Sequence, residues 1–111
     1  MSELHEEHCA GCEGHTRLLT DEQIRAHVAA LHSRWAVNAP GDTLDATFSF
    51  GNYHETMAFL NAVAFIAHRE DHHPDIQFGY NRVTMHWQTH EAGGITMNDL
   101  ICAAKVDRLL V

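Results

Sequence analysis

An α+β domain is the fold class this 111-residue chain predicts: an antiparallel sheet with helices packed on one face. Three observations lead there. Two segments alternate apolar and polar residues with the period of a half-buried strand, and three others repeat apolar residues at helical spacing. The strand segments also follow one another closely enough to join as hairpins, which makes the sheet antiparallel. The order reads α, β, β, α, β, β, α.

Residues 1–19 carry Gly11, Gly14 and many charges with no sustained hydrophobic period, which predicts a mobile arm ahead of a domain over residues 20–111. Thr20 and Gln23 form a capping-box pair, and Ile24, Val28, Leu31 and Trp35 recur behind them, predicting a helix from Asp21 to about Ser33. A short extended piece at Trp35 to Asn38 precedes the Pro40-Gly41 turn, and Leu44, Ala46, Phe48 and Phe50 then mark a strand. From His54 to about Asp71 there is no Gly or Pro. Met57, Leu60, Ala64 and Ala67 share a stripe that Phe59, Val63 and Ile66 widen, so this is the central helix. Pro74 disfavours helical geometry at His73 and turns the chain into the extended piece "IQF". A second strong strand runs through Val83, Met85, Trp87 and Thr89 to His90, and Gly93-Gly94 ends it. Thr96 and Asp99 cap a closing helix carrying Leu100, Ile101, Ala104, Val106 and Leu110.

Composition narrows the function. The apolar fraction of 45% and the charged fraction of 20% belong to a globular protein. Asp and Glu outnumber Lys and Arg by 15 to 7, which argues against nucleic acid or an anionic membrane as partner. No apolar run approaches the ~20 residues that span a bilayer, and the N-terminus lacks the basic and apolar regions of a signal peptide, so the expected location is the cytoplasm. Three cysteines, Cys9, Cys12 and Cys102, do not make a disulfide framework. Eleven histidines are the oddity, since an unperturbed imidazole titrates near neutral pH and can serve as a proton carrier or a metal ligand, and composition alone does not choose between the two.

The histidines concentrate in "HREDHHPDI", residues 68–76. His68 and His72 are four apart, which stacks them on one face if both are helical. The turn at Pro74 directs His73 elsewhere, and His90 at the end of the second strong strand reaches the same rim if that strand lies beside the central helix. With Asp99 at the start of the last helix, such a set suits proton transfer on both sides of a small polar heterocycle. A structural reading competes: helix-terminal histidines also complement the helix dipole, and Asp99 also serves as a cap.

"HREDHHP", then "YNRV", "TH", "GGIT" and "ND" resemble the signature of the pterin-4a-carbinolamine dehydratases, with the gaps between pieces kept from about Thr20 to the C-terminus. The resemblance implies a four-stranded antiparallel sheet with three helices on one face. It implies loss of water from a 4a-hydroxytetrahydropterin, the product of aromatic amino acid hydroxylases, to give the quinonoid dihydropterin. Carried over by position, the catalytic histidines are His72, His73 and His90; Asp99, Asp71, His68 and Trp35 match positions that line or support the substrate site. His68 stands where many relatives have Glu, and a second imidazole there would oppose protonation of His72. No cofactor is implied, the partner is the small-molecule pterin, and the expected assembly is a homodimer or homotetramer.

The arm motif "HCAGCEG" resembles the His-Cys-x-x-Cys arm of bacterial members of that family. Cys9 and Cys12, with His5, His8 or His15, offer the N and S donors that zinc takes, but one CxxC without a matching second pair is a weak zinc signal, and a pair of reduced thiols is the preferred reading. Two other function classes stand beside the enzyme. One is a non-enzymatic interaction protein pairing through a sheet edge, as animal relatives do with a transcription factor; the other is a metal-binding protein built on the His-rich rim.

Overall fold

The computed structural model describes residues 3–10 and 17–110. Its elements follow the predicted order: α1 (Asp21–Val28), β1 (Ala36–Val37), β2 (Leu44–Ser49), α2 (Tyr53–Glu70), β3 (Asp75–Phe78), β4 (Arg82–Trp87) and α3 (Met97–Arg108), with a short 3-10 turn at Leu4–Glu6 before them. The four strands form one antiparallel sheet in the order β1-β2-β4-β3.

Strand alternation decides which face is buried. Leu44 pairs with Trp87, Ala46 with Met85 and Phe48 with Val83, and all six side chains are buried. The intervening pairs, Asp45 with His86, Thr47 with Thr84 and Ser49 with Arg82, lie on the other face and are half-buried or exposed. All three helices feed the same core: Ile24 from α1, Phe59 and Val63 from α2, Leu100, Cys102, Ala103 and Val106 from α3. The sheet therefore has one helix-covered face. Burying each large side chain such as Leu44 or Met85 contributes about 1.5–3 kcal/mol.

Helix α1 begins as the capping box predicts, with Thr20 Oγ1 accepting from Gln23 N–H at 3.1 Å and Gln23 Oε1 accepting from Thr20 N–H at 2.9 Å. It ends at Val28 and not near Ser33. Asp107 on α3 explains the early stop. Its carboxylate accepts from His32 N–H, Arg34 Nη1 and Trp35 Nε1 at 3.1, 2.7 and 2.8 Å, so tertiary bonds draw residues 32–35 out of the helical path. Leu31 and Trp35 still pack on the core, as their spacing predicts.

The sequence predicts a mobile arm over residues 1–19; the described part of it, residues 3–10, lies against α3 and the end of α2. Glu70 Oε1 accepts from Cys9 N–H at 2.6 Å and Glu70 Oε2 meets His8 Nδ1 at 2.9 Å. Asn98 bonds Ala10 through both its amide oxygen and its amide nitrogen at 3.1 Å. Lys105 Nζ donates to His5 O at 2.9 Å. Fixed backbone groups matched by buried side chains hold the segment without a hydrophobic period of its own.

Candidate active site

Helix α2 ends one residue before Asp71, which takes the left-handed conformation at φ 52°. His72 N–H then donates back to Ala67 O at 3.2 Å, closing a Schellman-type end. A non-glycine residue in this conformation costs about 1 kcal/mol, and here the turn re-aims the chain. His72 consequently leaves the helix, so the expected stacking of His68 and His72 on one helical face does not occur. His68 is exposed on α2.

Redirected in this way, His72 meets α3. Its Nε2 lies 2.6 Å from Asp99 Oδ1, and its ring stacks on Trp87 of β4 with centroids 5.6 Å apart and planes 20° apart. Asp99 is wholly buried. Its Oδ2 accepts from Thr89 Oγ1–H and from Thr96 N–H, each at 2.9 Å, while the Thr96 hydroxyl donates to Thr89 Oγ1 at 2.7 Å. Every donor that faces this carboxylate is thus satisfied, and its remaining oxygen is committed to His72. A carboxylate only accepts, so the proton of the pair sits on Nε2 and Nδ1 is the ring nitrogen without a protein partner among the described residues.

His90 arrives from a different device. The strand stops at Trp87, earlier than the alternation predicts, because Thr89 and Gly94 pair in a tight loop in which Thr89 N–H donates to Gly94 O at 2.9 Å. Gly93 sits at φ 74° and donates to Thr89 O, a conformation that glycine adopts without strain. His90 projects from this loop and is exposed.

His72, His73 and His90 line one cavity of about 550 Å³, together with Asp71, Glu70, Gln88, Thr89 and Asn98. Cys9 and Ala10 of the arm complete its wall. Volumes of this order suit a small bicyclic ligand. Of the other expected residues, Asp99 holds His72 from beneath. Trp35 and His68 do not line the cavity: Trp35 is a core residue set edge-on to Phe48.

Glu70 is a cavity residue the sequence reading passed over, although a signal existed. It continues the apolar series Phe59, Val63 and Ile66 at helical spacing, and an acid at such a position needs buried partners. Burial alone would raise its pKa; the bonds from Cys9 N–H and His8, with Lys105 3.7 Å away, outweigh burial and hold the carboxyl below its ordinary range. As to metal, Cys12 lies outside the described residues, Cys9 Sγ is engaged with Cys102 and Asn98 O, and His8 Nδ1 is engaged with Glu70. Among the described residues no group of three or more His, Cys, Asp or Glu side chains is arranged to hold a metal ion.

Residues 17–109 match the family model described as Pterin 4 alpha carbinolamine dehydratase. The chain belongs to that family. It is 47% identical over 110 residues, 99% of this chain and 97% of the relative, to a Legionella pneumophila (strain Corby) protein provisionally named as a pterin-4-alpha-carbinolamine dehydratase. A solved Brucella melitensis structure titled transcriptional coactivator/pterin dehydratase superposes with a TM-score of 0.78 at 27% identity, covering 82% of this chain and 96% of that one. A pterin dehydratase-like protein described as a RuBisCO assembly factor in the alpha-carboxysome superposes with a TM-score of 0.61 at 32% identity, over 70% of this chain and 90% of its own. No helix among the described residues is long and apolar enough to cross a membrane.

Proposed function

We propose that the chain dehydrates a 4a-hydroxytetrahydropterin to the quinonoid dihydropterin, by histidine acid–base catalysis, in the recycling of tetrahydropterin. One observation carries the reading beyond family membership: three imidazoles from two separate chain segments line a single cavity, and one of them is held by a buried carboxylate.

The reaction gives these groups their tasks. The bond from carbon 4a to its hydroxyl breaks as an imidazolium donates a proton, and water departs. The adjacent ring nitrogen supplies the electrons for the new double bond and gives up its own proton to a neutral imidazole. One proton enters and one leaves, so the total proton count is unchanged and the two histidines have exchanged states, ready to act in the opposite roles or to re-equilibrate through solvent. His72 and His90 form the acid–base pair, and Asp99 orients His72 and balances its charge when protonated. His73 binds and orients the ring, with Asp71 beside it. Acid–base assistance of ~100- to 10,000-fold outruns spontaneous loss of hydroxide.

The test is a stopped-flow dehydration assay on the parent and on His72→Ala and His90→Ala. Acceleration by the parent that both substitutions abolish supports the reading; a parent rate equal to the spontaneous one overturns it.

A second reading is an interaction protein of the same fold, favoured by the likeness to the assembly factor and by the exposed edge strand β3, where Phe78 is half-exposed. It predicts no acceleration in the same assay. The proposed assembly is a homodimer or homotetramer in the cytoplasm, and light scattering on the purified chain measures its mass directly.

A further inference from the structure

Two thiols from opposite ends of the chain meet beside the cavity. Cys9 Sγ lies 3.4 Å from Cys102 Sγ, with residue 9 on the docked arm and residue 102 in the middle of α3. Cys102 is wholly buried; Cys9 is half-buried and lines the cavity. The backbone on both sides of Cys9 is tied down, by Glu70 through Cys9 N–H and by Asn98 through Ala10, so the two sulfurs are held in register and do not meet by chance motion of a free tail. Nothing in the proposed dehydration uses either sulfur.

We propose that Cys9 and Cys102 are a thiol pair that a hydroperoxide such as hydrogen peroxide converts to a disulfide, locking the arm onto α3 as a fixed wall of the cavity. The order of events follows from access. Cys9 is reachable from the cavity, whereas its hydrogen bond to Cys9, and then burial, push the Cys102 thiol far above its ordinary pKa. Cys9, the sulfur open to the cavity, therefore meets the peroxide before the wholly buried Cys102 does, reacting as any cysteine does through its thiolate fraction. Its sulfur attacks one peroxide oxygen, the O–O bond breaks, and the departing hydroxide takes up a proton as water, leaving Cys9 as a sulfenic acid. The Cys102 sulfur then attacks the Cys9 sulfur, the S–O bond breaks, and hydroxide leaves with the Cys102 proton as the second water. Two thiols are oxidised by two electrons and one peroxide is reduced to two waters. Closing the bond needs a shortening of roughly 1.4 Å from the present contact to the ~2.05 Å of a disulfide. That is within the adjustment of two side chains.

The competing product is a Cys9–Cys12 link within the arm, and the experiment separates the two. The full chain and Cys12→Ser are treated with hydrogen peroxide and digested without reduction, and the linked peptides are mapped by mass spectrometry. The expected result is a Cys9–Cys102 link in both proteins, lost in Cys9→Ser and restored to two free thiols by dithiothreitol. In oxidised Cys12→Ser, whose thiols at 9 and 102 are untouched by substitution, the melting temperature should rise by ~5 °C or more and fall back on reduction, because the link closes a loop of most of the chain. Cys9 joined only to Cys12, or no link between 9 and 102 in Cys12→Ser, overturns the proposal. The assay needs no pterin, so its outcome is independent of the dehydratase reading.

Discussion

The two sides of the cavity are built on opposite terms. On one, His72 is clamped between the Asp99 carboxylate and the Trp87 ring, and a relay of Thr96 and Thr89 hydroxyls pins that carboxylate in turn. On the other, His73 and His90 are exposed and their rings bond to nothing among the described residues. One wall is pre-organised and the other is adaptable. A site that must hold one proton position steady while admitting and releasing a flat ligand benefits from that asymmetry, since rigidity on both walls would slow exchange.

The largest effect expected is on the rigid wall. His72→Ala should lower kcat/KM for dehydration by ~10²- to 10⁴-fold, and His73→Ala on the adaptable wall should act mainly by raising KM; steady-state kinetics separate the two. Equal losses of kcat in both variants would erase the contrast between the walls. Next comes Asp99→Asn. With its oxygen turned to Thr89 and Thr96, the new amide presents N–H to His72 Nε2 and forces the proton onto Nδ1. Activity should fall by ~10²-fold or more at a stability cost of about 1–3 kcal/mol, and nitrogen-15 NMR of His72 should report the changed tautomer. An unchanged tautomer would show that Asp99 does not set it.

The arm sharpens the comparison at a smaller scale. Glu70 has a folded-state pKa below its unfolded one, so its contribution is fully present above the ordinary carboxylate range and disappears as pH falls through the lower folded value. Urea unfolding of Glu70→Gln should accordingly show a deficit of ~1 kcal/mol at neutral pH that vanishes on acidification. A deficit independent of pH would assign the loss to packing alone. Smallest is the left-handed turn: Asp71→Gly should stay within ~0.5 kcal/mol of the parent, while Asp71→Ala, which keeps a Cβ and loses the local bonding that lets Asp tolerate this conformation, should lose ~0.5–1 kcal/mol. Identical unfolding midpoints for the two would mean the turn relaxes when substituted.

Periodic features were legible in advance and turns that depend on distant partners were not. The alternation over 44–50 and 83–90 marks both strong strands, though it overruns the end of the second, because one buried face imposes period two whatever else surrounds it. The end of α1 was misplaced because Asp107, more than seventy residues away, captures the backbone and side chains at residues 32–35. The same limit explains the site. Spacing marked His72, His73, His90 and Asp99, yet no local pattern tells that Asp71 turns left-handed and detaches His72 from His68. Trp35 was assigned to the site by family position, and its indole is spent on Asp107 and Phe48. The docking of the arm is illegible for a further reason: its bonds to Glu70 and Asn98 join backbone groups of residues 9 and 10 to polar side chains sixty and more residues away, and no local period records such pairings.

The indole stacked on His72 also turns the molecule into its own indicator. A charged imidazole lying face to face with Trp87 quenches its emission more than a neutral one, whereas Trp35, the second of the chain's two tryptophans, packs on Phe48 and donates to Asp107, with no imidazole stacked on it among the described residues. Fluorescence of a Trp35→Phe variant, which silences the indole bonded to Asp107, followed against pH would then report on the one histidine of eleven that stacks on Trp87, with no ligand, label or turnover required.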